Sequence, residues 1–142
     1  MTGAPGGAAG ELACLRQAAA GTIGPVFQTG RHEIAAAFLA GDGRIFTGIN
    51  LKAVIGRASV CAEATALGTA LIAGARTFRA AAVFIGTPDG QDGLRLRLVP
   101  PCGPCRELIA DYAPAVRLYI DVRGSAAGIA IGDLLPHKYT QD

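Results

Sequence analysis

The stretch VCAEATALGTALIAG, residues 60–74, predicts a helix that is apolar on nearly every face and closes at Gly74. Such a helix is stable only when it is buried, so we expect it to pack against a sheet at the centre of the fold. Cys61 and Glu63 lie near its start. One thiol and one acid in such a place are compatible with ordinary packing, so the rest of the chain must decide whether they are a catalytic pair.

The segments around this helix predict the α/β class. Helical spacing or end signals predict further helices at 11–21 and 102–113 and a short helical turn at 131–136. Apolar runs predict strands at 32–40, 44–51, 80–87 and 116–122. The first two strands, separated by a Gly-Asp-Gly turn, form a predicted hairpin, and residues 88–99 are predicted to be a polar loop. Alternating elements of this kind indicate a mixed sheet covered by helices.

The composition favours one domain that acts on a small molecule. Half of the 142 residues are hydrophobic and the net charge is only +2. We expect no nucleic-acid partner, because no basic stripe with interleaved aromatic residues is visible. Residues 1–10 are rich in Gly and Ala and are predicted to be flexible, and residues 11–142 are predicted to form a single domain. We see neither a signal-peptide pattern nor a membrane span, and expect a soluble cytoplasmic protein.

The stretch PPCGPCREL, residues 100–108, contains a second cysteine motif. Cys102 and Cys105 have the C-x₂-C spacing that lets two sulfurs chelate one metal ion. This motif alone leaves a redox pair or two buried thiols equally open. Cys61 is the best candidate for a third ligand, because three thiolates and one open position beside Glu63 would hold a zinc-activated water next to its general base. Cys14, which lies outside any motif, is expected to pack in the core.

Both cysteine motifs fall at predicted helix N-termini, where the helix dipole favours thiolate over thiol. Three thiolates and a hydroxide around Zn²⁺ leave about two excess negative charges by formal counting. Arg106 and Arg57 are the candidates for balancing this charge.

The pattern C-A-E followed by P-C-x-x-C resembles the zinc-dependent cytidine deaminase superfamily. Cys at the first position is typical of its free-nucleoside deaminases. The stretches DGRIFTGIN and LLPHKY are similar to blasticidin S deaminase, as is Ala64 in place of the usual Arg. The resemblance implies a three-layer α/β/α fold with a mixed five-stranded sheet, one zinc ion per chain and a homotetramer.

It also implies the mechanism. Zinc held by Cys61, Cys102 and Cys105 lowers the pKa of its bound water, Glu63 takes the proton, and the hydroxide attacks C4 of a cytosine ring. Glu63 then protonates N3 and the departing amine, so ammonia leaves. The Pro100 carbonyl resembles the family's acceptor for the exocyclic amine.

Other positions are expected to bind the substrate: Asn50, Lys52, His32, Ala62 and Tyr139. Asn50 matches the family's ribose-binding N-x-E motif, but Lys52 replaces the acid and would suit a substrate carrying an acceptor or a negative charge. Lys52 pointing to solvent is the alternative. His32 is expected to stack on the base or to be a plain polar edge residue. Tyr139 is expected to line a neighbouring subunit's site or to be a loose anchor.

We therefore expect a hydrolase that converts cytidine or deoxycytidine to the uracil nucleoside plus ammonia. A deaminase for a modified or antibiotic cytosine nucleoside, of blasticidin S type, or for another aminated base is the alternative. A non-catalytic zinc module is disfavoured by Glu63, and a redox protein using Cys102 and Cys105 is the third possibility. Pyrimidine salvage and detoxification are both compatible with these residues.

Overall fold

The computed structural model describes residues 7–141 and shows a mixed sheet with helices on both faces. The helices are α1 (Ala8–Ile23), α2 (Ala62–Ile72), α3 (Gly103–Tyr112) and α4 (Ile131–Leu134). The strands are β1 (Ile34–Ala40), β2 (Ile45–Ile49), β3 (Phe78–Pro88), β4 (Leu94–Val99), β5 (Arg117–Val122) and β6 (Ser125–Ala130). The predicted α/β class is confirmed.

The strand order is β2-β1-β3-β5-β6, and β4 pairs with β3 outside this path. The β3–β5 pair is parallel, whereas the other pairs are antiparallel. β3 is long enough to pair with two different strands along the same edge. Its first part pairs with β5 through Ala80–Ala82, and its last part pairs with β4 through Val83–Pro88.

The described sheet therefore has six strands rather than the expected five. The sixth is β4, which lies within the predicted polar loop 88–99. This prediction was wrong because the loop ends in LRLRLV, whose leucines alternate with arginines as in a strand with one exposed face. β6 was also missed, because its small residues carry no strand pattern. A tight turn with positive φ at Arg123 and Gly124 returns the chain from β5 to β6.

The three predicted layers are present. Alternate residues of β1 point to opposite faces of the sheet. Ala35, Ala37 and Leu39 join a buried cluster with α1, while Ala36 and Phe38 join a second buried cluster with α2 and α3. The sheet is therefore covered by α1 on one face and by α2 and α3 on the other.

The segment 1–10, predicted to be flexible, lies mostly outside the described residues. Its last part is helical, because α1 already begins at Ala8. In the described part of the chain, no helix combines the length and the apolar character needed to cross a membrane.

α2 lies directly on β2, and Gly48 makes this approach possible. A Cβ at Gly48 would overlap Thr65 Oγ1 and the Ala66 backbone nitrogen, and would lie 2.7 Å from the Ala62 carbonyl oxygen. Thr65 Oγ1 also lies 2.8 Å from the Ile49 carbonyl oxygen, a hydrogen bond that ties helix to strand. The position of α2 is thus set by backbone contact, which flexible side chains cannot relieve.

We expect Gly48→Ala to lower the free energy of unfolding by about 3 kcal/mol, the upper end for overpacking, because the added methyl meets backbone. The measurement is chemical denaturation. Gly68→Ala is the matched control within α2, since its Cβ would meet nothing within 4 Å. It should stabilise the protein by about 0.5–1 kcal/mol through helix propensity. Equal stability of the two variants would contradict the close packing at Gly48.

Candidate metal centre and catalytic cavity

Three cysteine thiols converge where α2 and α3 begin. Cys61 is the N-cap residue of α2, Cys102 is the N-cap residue of α3, and Cys105 lies in the first turn of α3. The three sulfurs all lie within 4.8 Å of one another, and the Cys61 and Cys102 sulfurs are 3.7 Å apart. Neither N-cap side chain bonds a backbone N–H of its own helix, so neither sulfur is used for capping.

These distances fit a zinc ion. Two ligands at a Zn–S length of about 2.3 Å in tetrahedral geometry have sulfurs about 3.8 Å apart. The Cys61–Cys102 separation of 3.7 Å meets this value, and the limit of 4.8 Å for the cluster leaves only a small closure for Cys105. The predicted ligand set is therefore suited to one zinc ion per chain. Cys14 is a free, half-buried thiol of α1 outside the cluster.

Burial raises the pKa of two of these thiols, Cys61 and Cys105, and the nearby Glu63 carboxylate raises that of Cys105 further. Both thiols therefore hold their protons strongly in the metal-free protein. A divalent cation reverses this preference because it binds the thiolate.

A cavity of about 350 Å³ opens beside the thiols. Cys61 and Cys102 line it, whereas Cys105 is buried. A metal ion bound to the three sulfurs would therefore border the cavity. Ile34, Val83 and Val99 give the cavity apolar walls.

Glu63 is a charged side chain in the wall of this cavity and is only 4% exposed. Burial raises the pKa of its carboxyl group, an effect that its own backbone N–H and the Cys105 thiol partly offset. Two positions after Cys61 on α2, the carboxyl lies next to the ligand cluster. The structure thus brings together the predicted base and the predicted ligands.

Arg106 fastens the segment that leads into α3. Its Nε donates to the Pro101 carbonyl at 3.0 Å, and its Nη1 donates to the Leu134 carbonyl at 3.1 Å. These contacts give Arg106 a positioning role that the sequence did not predict. Charge balancing by Arg106 stays a prediction, as it does for Arg57, which is exposed in the 3₁₀ turn Gly56–Ala58.

Asn50 has a structural role in addition to its place in the cavity wall. Its Oδ1 accepts hydrogen bonds from the backbone N–H groups of Glu33 and Ile34, each at 3.0 Å, and its Nδ2 donates to the Arg31 carbonyl at 3.2 Å. Both acceptor positions are thereby used, so the Asn50 side chain offers a sugar hydroxyl at most one N–H. A contact between this remaining N–H and a ribose hydroxyl stays a prediction.

His32 also takes part in the hydrogen-bond network around Asn50. Its Nδ1 lies 2.9 Å from the Asn50 carbonyl oxygen, which can only accept, so Nδ1 carries the proton. His32 is half-buried and does not line the cavity, so its stacking on a base stays a prediction.

The remaining predicted positions divide into two groups. Lys52, Ala62 and Pro100 line the cavity beside the thiols. Tyr139 does not; it is 78% exposed on the C-terminal tail and borders a different cavity with Glu107 and Asp111. Its expected place in a neighbouring subunit's site stays a prediction.

Sequence reasoning missed Ser59, which lines the cavity. Its Oγ accepts the backbone N–H of Ala53 at 2.9 Å and so closes the loop between Leu51 and Val60. No spacing rule marks this serine, because its partner is six residues away in an irregular segment.

The fold and this centre define the class of protein: a zinc-binding α/β protein with a carboxyl group buried beside the metal ligands. Residues 13–120 match the family described as "Cytidine and deoxycytidylate deaminase zinc-binding region". The chain belongs to this family, and the predicted enzyme class, a cytidine deaminase-like hydrolase, is confirmed.

Relatives and solved structures agree with this assignment. The chain is 34% identical to the blasticidin-S deaminase of Bacillus cereus, over 90% of this chain and 91% of that protein. It is also 34% identical to the cytidine deaminase of Halalkalibacterium halodurans, over 79% of this chain and 80% of that one. The structure of cytidine deaminase from Burkholderia pseudomallei is similar, with a TM-score of 0.69 and 28% identity over 89% of this chain and 98% of that chain.

We expect about one zinc ion per purified chain, and its loss in Cys102→Ser and Cys105→Ser, because two thiolates bind zinc much more weakly than three. Zinc is measured by elemental analysis. Cys14→Ser is the matched control and should keep its zinc, since Cys14 lies outside the cluster. Full zinc in the Cys105 variant would contradict the three-thiol site.

Zinc affinity should fall steeply as the pH is lowered. Because the pKa values of Cys61 and Cys105 are raised, both thiols must release a proton when zinc binds. These two protons alone change the zinc dissociation constant by at least about 100-fold per pH unit, weakening binding at lower pH. Competition with a chelator of known affinity between pH 6 and 8 measures this dependence. A change smaller than about tenfold per pH unit would contradict it.

Proposed function

We propose that this protein catalyses the hydrolytic deamination of a cytosine nucleoside, with Glu63 as the group that moves protons. The observation that carries the proposal is the burial of the Glu63 carboxyl in the wall of a ligand-sized cavity, beside three converging thiols. A structural zinc site closed by four protein ligands has no use for a buried acid at this place.

The overall reaction replaces the exocyclic amine of the ring with oxygen. The C4–O bond forms, the C4–N bond breaks, and one water is consumed as one ammonia leaves. Zinc, when bound to the thiolates, supplies a Lewis acid that lowers the pKa of a coordinated water from about 15.7 to about 7.

Glu63 accounts for the proton transfers in this scheme. Its carboxylate accepts a proton from the attacking water and delivers it to ring N3. It then takes the proton of the new hydroxyl group on C4 and delivers that proton to the leaving amine. A carboxyl with a raised pKa suits this task, because it retains the proton between the two transfers. Burial of the side chain restricts its motion and keeps bulk water from competing for that proton.

The cavity walls suit a planar heterocycle. Ile34, Val83 and Val99 offer apolar surface to a ring. Pro100 lines the cavity and is followed by Pro101, so this segment presents carbonyl oxygens without backbone N–H donors. Because Arg106 occupies the Pro101 carbonyl, the Pro100 carbonyl is the one we assign to the exocyclic amine.

The identity of the sugar or other substituent is less constrained. The relatives named for blasticidin S and for cytidine are both 34% identical to this chain, but the first match covers 90% of the chain and the second 79%. Lys52 stands at the cavity where cytidine deaminases typically have an acid, which favours a modified nucleoside as the second candidate. Assembly as a homotetramer, a cytoplasmic location and a role in pyrimidine salvage stay predictions.

Glu63→Gln should reduce kcat by about three orders of magnitude, because an amide keeps the shape of the side chain but cannot accept the proton. Zinc content should be unchanged, since Glu63 is not a ligand. Glu107→Gln, an isosteric change on the exposed surface of α3, is the control and should keep full activity. Unchanged turnover in the zinc-loaded Glu63 variant would overturn the assignment of Glu63.

Ammonia release tests the substrate class. We expect release from cytidine, deoxycytidine or blasticidin S, and none from guanine or adenosine. Activity confined to the purines would contradict the proposed cytosine specificity while retaining hydrolytic deamination. Cytosine itself shows whether the sugar is required.

A further inference from the structure

Arg106 contacts both of the peptide groups that flank Cys102. Its backbone N–H donates to the Cys102 carbonyl at 3.0 Å, and its side-chain Nε donates to the Pro101 carbonyl, also at 3.0 Å. The Pro101 carbonyl belongs to the peptide group before the Cys102 Cα, and the Cys102 carbonyl belongs to the one after it. Because each peptide group is planar, holding both of them fixes the φ and ψ angles of Cys102, which are −68° and 169°.

The Cys102 side chain depends on this backbone support more than the other two ligands do. Cys102 is exposed, whereas Cys105 is only 3% exposed and Cys61 is half-buried. Packing therefore holds the side chains of Cys61 and Cys105 but contributes least to Cys102. The Cys102 sulfur contacts the Cys61 sulfur and does not cap α3. The direction of the Cys102 thiol is thus set mainly by the backbone on either side of it.

The Arg106 side chain is itself held by the C-terminal part of the fold. Its Nη1 donates to the carbonyl of Leu134, the last residue of α4, at 3.1 Å. α4 is fixed in turn, because Ile131 is only 1% exposed and its N–H donates to the Val116 carbonyl at 3.2 Å. The Leu134 side chain packs against the buried cluster that contains Cys105. One guanidinium group therefore connects α4 to the peptide group before a metal ligand.

We propose that Arg106 is a positioning residue for the metal ligand Cys102, and that α4 helps to retain zinc by holding the Arg106 side chain. The inference goes beyond the proposed deamination, because it concerns retention of the metal and holds for any substrate. It also differs from charge balancing, since it depends on the geometry of two hydrogen bonds rather than on the positive charge. A guanidinium group donates in several fixed directions at once, and a lysine ammonium on its flexible chain does not reproduce that arrangement.

The rate of zinc release from the zinc-loaded protein into an excess of chelator tests this proposal. Arg106→Lys keeps the charge but loses the contact with two carbonyls, and it should release zinc about tenfold faster than the wild-type protein. Arg106→Gln should be similarly fast. If Arg106 acted through its charge, the lysine variant would release zinc at the wild-type rate and only the glutamine variant would be fast. That outcome would overturn the positioning role.

Arg76→Lys is the matched control. Arg76 Nη1 likewise donates to two backbone carbonyls, those of Leu71 and Ala75, at 2.9 and 2.8 Å. This contact lies at the opposite end of α2 from Cys61, so its loss should leave the rate of zinc release unchanged. Equal acceleration in the two lysine variants would indicate a general loss of stability and would contradict a specific effect of Arg106 on Cys102.

Leu134→Ala tests the part played by α4. Loss of the packed side chain should loosen α4 and speed zinc release by about threefold. The double variant Arg106→Lys/Leu134→Ala should release zinc no faster than Arg106→Lys alone, because both changes break the same connection. Effects that multiply in the double variant, or an unchanged rate in Leu134→Ala, would rule out the connection through α4.

Cobalt(II) in place of zinc provides a readout that is independent of activity. Its absorption spectrum depends on the number and the geometry of the thiolate ligands. Arg106→Lys should change the cobalt spectrum relative to the wild-type protein, whereas Arg76→Lys should not. Identical spectra in all three proteins would show that Cys102 keeps its position without the Arg106 side chain, against the proposal.

Discussion

The contact of α2 with β2 at Gly48 is the constraint on which the rest of the site depends. The helix backbone lies so near the strand that a single methyl group cannot be placed between them, and Thr65 secures the contact by hydrogen bonding to Ile49. Cys61 is the N-cap residue of this helix, and Glu63 lies in its first turn. The same backbone contact therefore positions a metal ligand and the proposed proton carrier, and the helix itself sets the distance between them.

The remaining ligands are positioned by a second helix that meets the first at its N-terminus. α3 packs on the same face of the sheet as α2, and Arg106 ties its entry segment to the carbonyls of Pro101 and Leu134. Two helix starts thereby point their positive ends at one place. This field offsets part of the charge on three thiolates, while burial of Cys105 and Glu63 opposes charge. Together, these effects favour a cation bound to the three sulfurs and increase the proton affinity of the Glu63 carboxyl group.

The sequence was sufficient to predict helix α2 and the cluster of three cysteines, and insufficient for several other elements. Helix α2 is apolar on all sides, and the spacing from Cys102 to Cys105 is a metal-ligand spacing, so both could be read directly from residue order. β4 was missed although Leu and Arg alternate along it, because all of it was included in the predicted polar loop 88–99. β6 has no pattern of its own and exists because β5 offers a free edge. The structural role of Asn50 could not be predicted either, because its hydrogen-bond partners are backbone groups whose positions depend on how residues 30–34 fold.

This division has a physical origin. The catalytic end of the cavity is buried, so each group there must satisfy the requirements of packing, charge and distance at the same time. Few residue types can do so, and the sequence motifs are therefore short and recognisable. The opposite end is bordered by exposed side chains such as Lys52, where a substitution costs little stability and changes the charge that a substrate meets. Asn50 links the two ends, because it lines the catalytic cavity while its hydrogen bonds hold the backbone of Arg31. A change of substrate thus requires new side chains on an anchored backbone, and the geometry around Glu63 is left undisturbed.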